Sequence, residues 1–256
     1  MHRKQFHRTF ATLLVIVGLL AQCAEVPETG RSQLVLLPES EDLGLGLNAW
    51  RQLLKERKIS TDPELDRRVR EVGSRIARVS PRPDWPWEFR VFEDDDPNAF
   101  ALPGGKVGVH TGLFKVAKND AQLAAVLAHE IAHAVARHGV ERMSREMLLS
   151  LGVAGLGAAV GDERVAAGAG VAATLLISLP FSREQEAEAD EIGLLYMARA
   201  GYDPREALRL WENFAAFGSG PSIEFLSTHP SYGSRIARLQ RLMPRALAEY
   251  ERRHRG

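Results

Sequence analysis

The chain has 256 residues, of which 45% are hydrophobic, and this is enough for one domain with a tail or an insertion. Its 33 basic residues equal its 33 acidic residues, so the sequence lacks the broad positive field that binds nucleic acid. The sequence has no internal period, which excludes a repeat architecture.

The amino terminus is typical of a targeting segment, because three Lys or Arg side chains precede a short apolar run over residues 10–20. We expect residues 1–24 to be a signal sequence and the mature chain to be exported. Cys23 follows the run where a bacterial lipoprotein carries its acylated cysteine, although Gln22 stands where a small residue is usual. Lipidation, ordinary cleavage and an uncleaved anchor stay open, and with them a periplasmic or a membrane-attached location.

Residues 25–40 mix Pro, Glu, Ser and Gly, and this composition predicts a linker. Helices are expected over residues 41–57 and 62–79, the second with an apolar stripe that ends before Pro81. The apolar period then changes from helical spacing to alternation. This change predicts a half-buried strand around Trp85, Trp87, Phe89 and Val91, followed by a turn over residues 94–98.

A β-hairpin is predicted over residues 98–109, because two strand-like segments flank Gly104-Gly105. Pro103 cannot donate to a β-ladder, so this part should lie at a sheet edge. An edge beside a binding site can hold an extended peptide by strand addition, and a hairpin that only supports the next helix is the alternative. The residues expected at this edge are Phe100, Ala101 and Leu102.

The next helix is predicted after Asn119 or Asp120 as cap, and it contains the stretch from His129 to His133, HEIAH. Positions four apart share a helix face, so both imidazoles can bind one metal ion. Glu130 lies beside them and can take a proton from the attacking water, an arrangement typical of zinc hydrolases. A core helix with two incidental histidines is the alternative, but burying these polar groups without a metal is costly.

From residue 147 to residue 181 the composition shifts to Leu, Val, Ala and Gly, broken by a polar stretch at residues 161–164. Each apolar half is shorter than the roughly 20 residues of a membrane span. A buried or site-covering helical hairpin is therefore favoured, and a hairpin at a lipid interface or across the membrane is the alternative.

The helix predicted to begin near Ser182 offers several carboxylates. A catalytic zinc has three protein ligands and an open position, so two histidines need a third ligand, commonly a glutamate of a later helix. Glu186 and Asp190 share one face, so one can bind the metal while the other accepts a hydrogen bond from a ligand imidazole. With Glu186 as ligand, Glu188 lies about 200° around the helix, towards solvent or another packing surface. A solvated acidic helix start is the alternative.

Four motifs in this order resemble the HtpX-type and CAAX-prenyl-protease-type family of zinc metalloendopeptidases. They are residues 98–114, the HEIAH stretch, Glu186 to Asp190 followed by Gly193, and Thr228-His229-Pro230 with Arg235-Ile236. The resemblance covers residues 43–242. It implies an α+β, mainly helical, zincin-like fold with a small antiparallel sheet beside the HExxH helix.

The resemblance also implies the roles of the site residues. One zinc ion per chain would be bound by His129, His133 and Glu186, with Glu130 as general base and Asp190 hydrogen-bonded to a ligand. His229 would bind zinc in a latent state or stabilise the oxyanion, unless it only caps the next helix. Arg235 is a second oxyanion candidate.

These observations predict a zinc metallopeptidase domain over residues 41–244, with residues 147–181 as an inserted helical hairpin, and a basic tail over residues 245–256. The chain resembles the short, exported bacterial branch of the family. This resemblance implies a zinc endopeptidase that cleaves unfolded or misfolded envelope proteins or peptides in protein quality control, and we expect no nucleic acid partner. The alternative is a metal-stabilised chaperone or adaptor that binds unfolded clients and cuts little.

Overall fold

The computed structural model describes residues 22–160, 180–217, 224–229 and 232–255. Most of the predicted signal sequence and residues 161–179 of the predicted apolar hairpin lie outside the described residues. Within them the chain is mainly helical with two small sheets, which confirms the predicted fold class. No helix in the described part combines the length and the hydropathy that crossing a membrane requires.

The first described element is a β-hairpin, so the prediction of a linker over residues 25–40 is wrong. Strand β1 (Gln22–Glu25) pairs antiparallel with β2 (Ser32–Val35), and the predicted boundary at residue 24 falls inside β1. Polar and turn-forming residues supply the loop of this hairpin, while Val26 and Val35 are buried beneath it. Composition alone does not separate a hairpin loop from a linker, because both use the same residues.

Two helices follow the hairpin, close to the predicted positions. Helix α1 spans Glu39–Glu56, and α2 spans Pro63–Ala77. Asp62 caps α2 by accepting hydrogen bonds from two backbone N–H groups, and Pro63 is favourable at the first helical position because its missing N–H would be unpaired there.

A three-stranded sheet comes next, in the order β3-β5-β4. Strand β3 (Glu88–Phe92) is parallel to β5 (Lys106–His110), whereas β4 (Ala99–Leu102) is antiparallel to β5. The predicted hairpin is confirmed and β4 lies at an edge, but the sheet is mixed because the chain crosses over before β4. Gly104 and Gly105 both have positive φ (80° and 77°), which allows the tight turn.

Helix α3 (Asp120–Val135) lies at the centre of the core, after a short 3-10 helix (Thr111–Lys115). The Asn119 side chain caps α3 by accepting from Gln122 N at 2.8 Å. Arg137 then adopts a left-handed conformation (φ 58°) and turns the chain into α4 (His138–Val160). The Arg137 Nε atom donates to Asp42 Oδ2 of α1 at 2.7 Å, which fixes this turn.

Helix α5 (Arg183–Arg199) packs directly against α3. Ser182 and Gln185 form a capping box at its start. A Cβ atom at Gly193 would lie 2.9 Å from His129 N, so the missing side chain lets the two helices approach closely.

Helices α6 (Glu206–Phe217), α7 (Glu224–Thr228) and α8 (Tyr232–Arg255) complete the described structure. Helix α8 packs along α5 and continues through residues 245–255, which were predicted to be a tail. Ala246 is buried, so at least this part of the basic segment belongs to the domain. Its exposed arginines gave the segment the composition of a tail, although the helical period is preserved.

Candidate metal centre

Four buried side chains from three elements meet beside the end of α3. His129 and His133 are one turn apart on α3, Glu186 is in the first turn of α5, and His229 follows α7. One ligand atom from each lies within 4.8 Å of the others. The structure therefore brings together all three predicted metal ligands and places the predicted His229 among them.

Four of the distances between these donor atoms are close to the ligand spacing around a small cation. The His129 Nε2 atom lies 3.1 Å from His133 Nε2 and 3.3 Å from His229 Nδ1. The Glu186 Oε1 atom lies 2.9 Å from His229 Nδ1 and 3.3 Å from His133 Nε2. A tetrahedral zinc ion with bonds of about 2.0–2.1 Å separates its ligand atoms by about 3.3–3.4 Å. Three imidazole nitrogens and a carboxylate at this spacing fit zinc.

The outer nitrogen of His129 faces the residue predicted to orient it. His129 Nδ1 lies 3.2 Å from Asp190 Oδ1, which is an ion-pair distance, although the two atoms are not aligned as a hydrogen bond. Asp190 Oδ2 also accepts from Arg235 Nε at 2.9 Å and from Arg238 Nη1 at 3.0 Å. The second carboxylate oxygen of Glu186 pairs with Arg235 Nη2. Asp190 is thus placed to orient His129, and Arg235 pairs with Glu186, so each of these two neighbouring donors has a charged partner behind it.

Arg235 was predicted as an oxyanion candidate, but in the structure most of its contacts are to protein side chains around the donor cluster. It is fully buried, stacks over the Trp211 ring at 4.2 Å and donates to Asp190 and Glu186. Nη1 is the nitrogen of Arg235 with no hydrogen-bond partner in the described part of the chain. An oxyanion role would therefore use Nη1.

The outer nitrogen of His133 faces a residue that the sequence analysis missed. His138 Nδ1 lies 2.9 Å from His133 Nδ1, and His138 Nε2 lies 3.0 Å from Glu188 Oε2. A continued α3 helix would have placed residue 138 about 140° around from residue 133. The left-handed Arg137 ends α3 and turns His138 back towards His133. The sequence does not predict this turn, because a left-handed conformation is uncommon at an arginine.

Glu188 is buried, so of the two predicted alternatives it faces a packing surface and not solvent. It lies on a different face of α5 from Glu186, as the helical angle requires, but that face packs against α4 and the N-terminal hairpin. Burial raises the pKa of Glu188, but hydrogen bonds from His138, Thr29 and Arg31 outweigh it and lower the pKa to about 2. The carboxylate is therefore ionised at neutral pH.

Glu130 lies beside the donor cluster and is not one of its four members. Its Oε1 atom lies 3.4 Å from His229 Nε2, and the side chain is almost completely buried. Burial raises the pKa of Glu130, against the opposing effect of His229 and His129. A carboxylate whose pKa is raised is a better proton acceptor than an ordinary glutamate.

The three predicted ligands differ in their protonation in the absence of metal. Burial lowers the pKa of His129, but the neighbouring carboxylates of Asp190 and Glu186 dominate and raise it to about 9. The pKa of His133 falls well below its usual value, chiefly through burial. For Glu186, burial raises the pKa, but His229 and the hydrogen bonds with the neighbouring histidines hold it far below its usual range. The metal-free site therefore carries a proton on His129 and a charged Glu186.

The predicted substrate edge lies near this cluster. A small pocket is lined by Ala101 and Pro103 of the hairpin, by His133 and Arg137, and by Phe181. The Phe181 ring stacks on His133 with the ring centroids 3.9 Å apart. The Phe100 side chain points to the other face of the sheet, where it contacts Trp50, Phe92 and His110.

Residues 63–243 match the family model described as Peptidase family M48. The chain belongs to peptidase family M48. This membership confirms the predicted family and supports the predicted metalloendopeptidase class. It also places the HEIAH helix, Glu186 and His229 inside the matched region.

Curated relatives of the chain come from mitochondria and from bacteria. The mitochondrial metalloendopeptidase OMA1 of Schizosaccharomyces pombe is 43% identical over 189 residues, which cover 72% of this chain and 54% of the relative. The bovine mitochondrial metalloendopeptidase OMA1 is 34% identical over 92% of this chain and 49% of its own length. The β-barrel assembly-enhancing protease of Escherichia coli K12 is 33% identical over 83% of this chain and 46% of its own length. The chain spans about half the length of these relatives.

Proposed function

We propose that this chain is a zinc-dependent metalloendopeptidase that cleaves peptide bonds of unfolded proteins in the bacterial cell envelope. The observation that carries the proposal is the cluster of four buried donors from His129, His133, Glu186 and His229, all within 4.8 Å of one another, with Glu130 beside them. Membership of family M48 supports the same reaction class.

His129, His133 and Glu186 would hold the zinc ion. When bound, zinc would polarise the scissile carbonyl and lower the pKa of water at the site. Glu130 takes the proton from the attacking water on a carboxylate oxygen and delivers it to the nitrogen of the leaving amine. Asp190 holds His129 through Nδ1, and Arg235 holds Glu186 through its second oxygen, so neither donor has to reorient during turnover.

His229 fills the place that substrate would need. Its Nδ1 atom lies among the three other donors, whereas a catalytic zinc keeps one position open. We therefore propose that His229 is a removable fourth ligand that restrains the enzyme. When it withdraws, its ring could also stabilise the oxyanion, which is the second role that the sequence leaves open.

Strand β4 would hold the substrate backbone. In an antiparallel pair, alternate residues direct their N–H and C=O groups towards the partner strand, and the others direct them away. His110 N donates to Asn98 O, so Asn98 and Phe100 face β5 and Ala101 faces the open edge. Ala101 also lines the cavity next to His133. The Ala101 backbone could therefore bind an extended peptide beside the metal, irrespective of the peptide sequence.

The envelope location rests on the sequence of residues 1–24 and on one group of relatives. The Escherichia coli relative is named as a β-barrel assembly-enhancing protease, whereas the OMA1 relatives are named as mitochondrial. We propose an exported bacterial protein of the short branch, attached to the membrane if Cys23 is acylated. Unfolded envelope proteins are then the substrates that it meets.

The proposal is tested by measuring zinc content and proteolysis on the same purified chain. We expect about one zinc per chain and cleavage of casein at internal peptide bonds, with loss of cleavage in a chelator and recovery on zinc addition. A folded, zinc-loaded chain that binds casein and leaves it intact would favour the chaperone or adaptor alternative. A folded chain with no zinc would contradict the site assignment.

A further inference from the structure

A series of polar contacts connects the donor cluster to the N-terminal hairpin. It starts at His133 Nδ1, which lies 2.9 Å from His138 Nδ1. His138 Nε2 lies 3.0 Å from Glu188 Oε2, and the same carboxylate oxygen accepts from Arg31 Nε at 2.6 Å. Arg31 directly precedes β2, so three contacts separate this hairpin from a proposed metal ligand.

The metal at one end of this series and the Glu188 carboxylate at the other determine which ring nitrogens of His133 and His138 carry hydrogen. If His133 Nε2 binds metal, His133 carries its proton on Nδ1 and donates to His138 Nδ1. His138 then carries its own proton on Nε2, where the ionised Glu188 accepts it. A carboxylate at the outer end therefore selects one tautomer for both rings, and His133 is left with a lone pair towards the metal.

Arg31 holds the outer carboxylate in place with a fixed fork. Its Nη1 and Nη2 atoms donate to the two oxygens of Glu141 at 3.1 and 2.9 Å, while Nε donates to Glu188. Gln185 Nε2 donates to the same Glu141 at 2.8 Å. One guanidinium thus connects α4 and α5 beneath the hairpin, and its planar geometry orients both carboxylates.

We propose that His138 and Glu188 position His133 for metal binding, and that Arg31 makes the N-terminal hairpin part of this support. The inference rests on the proposed metal site and extends it to a hairpin that precedes the region matched by the family model. Loss of the Arg31 contact loosens His133 and lowers the affinity for zinc, although Arg31 lies outside the donor cluster and Thr29 of the hairpin still donates to Glu188.

The test compares zinc affinity in single-residue variants of the full chain. Loss of an outer partner of a metal-binding histidine typically lowers metal affinity by about 10- to 100-fold. We expect a loss in this range for Glu188→Ala. For Arg31→Ala we expect a loss of about tenfold, because the Glu188 carboxylate still accepts from His138 in that variant. Glu188→Gln keeps a side-chain oxygen that can accept from His138, and it should retain most of the affinity.

Arg199→Ala is the matched control for the hairpin contact. Arg199 lies at the end of α5, and its Nη1 atom donates to Glu28 of the hairpin at 2.8 Å, with no contact to His138 or Glu188. This variant also removes an ion pair to the hairpin, but it should leave zinc affinity unchanged. Zinc affinity is measured by competition with a chromophoric chelator, and the visible spectrum of bound Co²⁺ reports the ligand geometry.

Urea unfolding of each metal-free variant separates positioning from general stability. The inference is supported if Glu188→Ala and Arg31→Ala weaken zinc binding and change the Co²⁺ spectrum more than Arg199→Ala does at equal loss of stability. It is overturned if they bind zinc as tightly as the unchanged chain, or if affinity follows stability in all variants. If the unchanged chain also binds no zinc, the proposed function fails first, and the inference fails with it.

Discussion

Asp190 offers a sharp test of how the site is held, because one carboxylate serves both a proposed ligand and a buried arginine. Asp190→Ala removes the acceptor 3.2 Å from His129 Nδ1 and the acceptor 2.9 Å from Arg235 Nε. The first loss should weaken zinc binding by about 10- to 100-fold, which corresponds to about 1.4–2.7 kcal/mol. The second leaves the fully buried Arg235 with Glu186 as its remaining carboxylate.

The effect on folding should be large and separable from the effect on zinc. Removing one partner of a buried ion pair costs about 3–5 kcal/mol, and the retained Glu186 contact places Asp190→Ala near the lower end. Urea unfolding in excess chelator measures this change without metal, and chelator competition measures zinc affinity. Glu191→Ala is the control, because its ion pair with Arg245 lies at the surface and contributes less than about 1 kcal/mol. Zinc affinity within twofold of the unchanged chain would refute the orienting role of Asp190.

Three further outcomes follow from the donor cluster. Glu186→Ala should release zinc, because it removes the one carboxylate of the cluster, and atomic absorption of the purified variant checks this. His229→Ala should retain zinc and raise basal casein cleavage, because it removes the proposed fourth ligand; a lower rate with zinc retained would instead assign His229 to the oxyanion, and unchanged rate and zinc affinity would leave it as a helix cap. Zinc binding at pH 7.5 should release about one proton, because the metal-free pKa of His129 is raised to about 9 and zinc requires the neutral ring. This release should disappear as the pH rises above 9, and calorimetry in two buffers of different ionisation enthalpy measures it.

The central helices could be predicted because local signals at their ends agree with their apolar period. The sequence places a cap at Asn119 or Asp120 and a helix start near Ser182, and in the structure Asn119 caps α3 and Ser182 caps α5. A spacing of four residues then places His129 beside His133 and Glu186 beside Asp190, whatever the rest of the chain does. Those parts of the site that depend on spacing within a single helix could therefore be predicted from the sequence.

Features that depend on contacts between different helices and strands could not be predicted from the sequence. The β1–β2 hairpin has the composition of a linker, and its order comes from burial of Val26 and Val35 and from the Arg31 contacts. The role proposed for His138 depends on the left-handed Arg137, whose turn is fixed by Asp42 of a distant helix. Periodicity describes one element at a time, so neither feature follows from it.

The position of His229 also depends on contacts between elements, so helical periodicity could not predict it. Its motif came from the resemblance to the family, and spacing alone could not bring residue 229 next to residue 129. In the structure, α7 packs Phe225 against His129 with the ring centroids 6.4 Å apart, and the next turn places His229 in the cluster. The aromatic contacts of Phe225 with Trp211 and Phe214 fix this arrangement from the core side.

Glu130→Gln tests the central claim most directly, because it removes the proposed base and keeps the shape of the side chain. Glu130 is not a member of the donor cluster, so zinc content should stay at about one per chain and the unfolding transition should be preserved. Casein cleavage should fall by at least about a hundredfold, as for loss of a positioned general base. Glu212→Gln, at an exposed carboxylate of α6, should leave the rate unchanged. Casein hydrolysis by Glu130→Gln at a rate close to that of the unchanged chain would contradict the account.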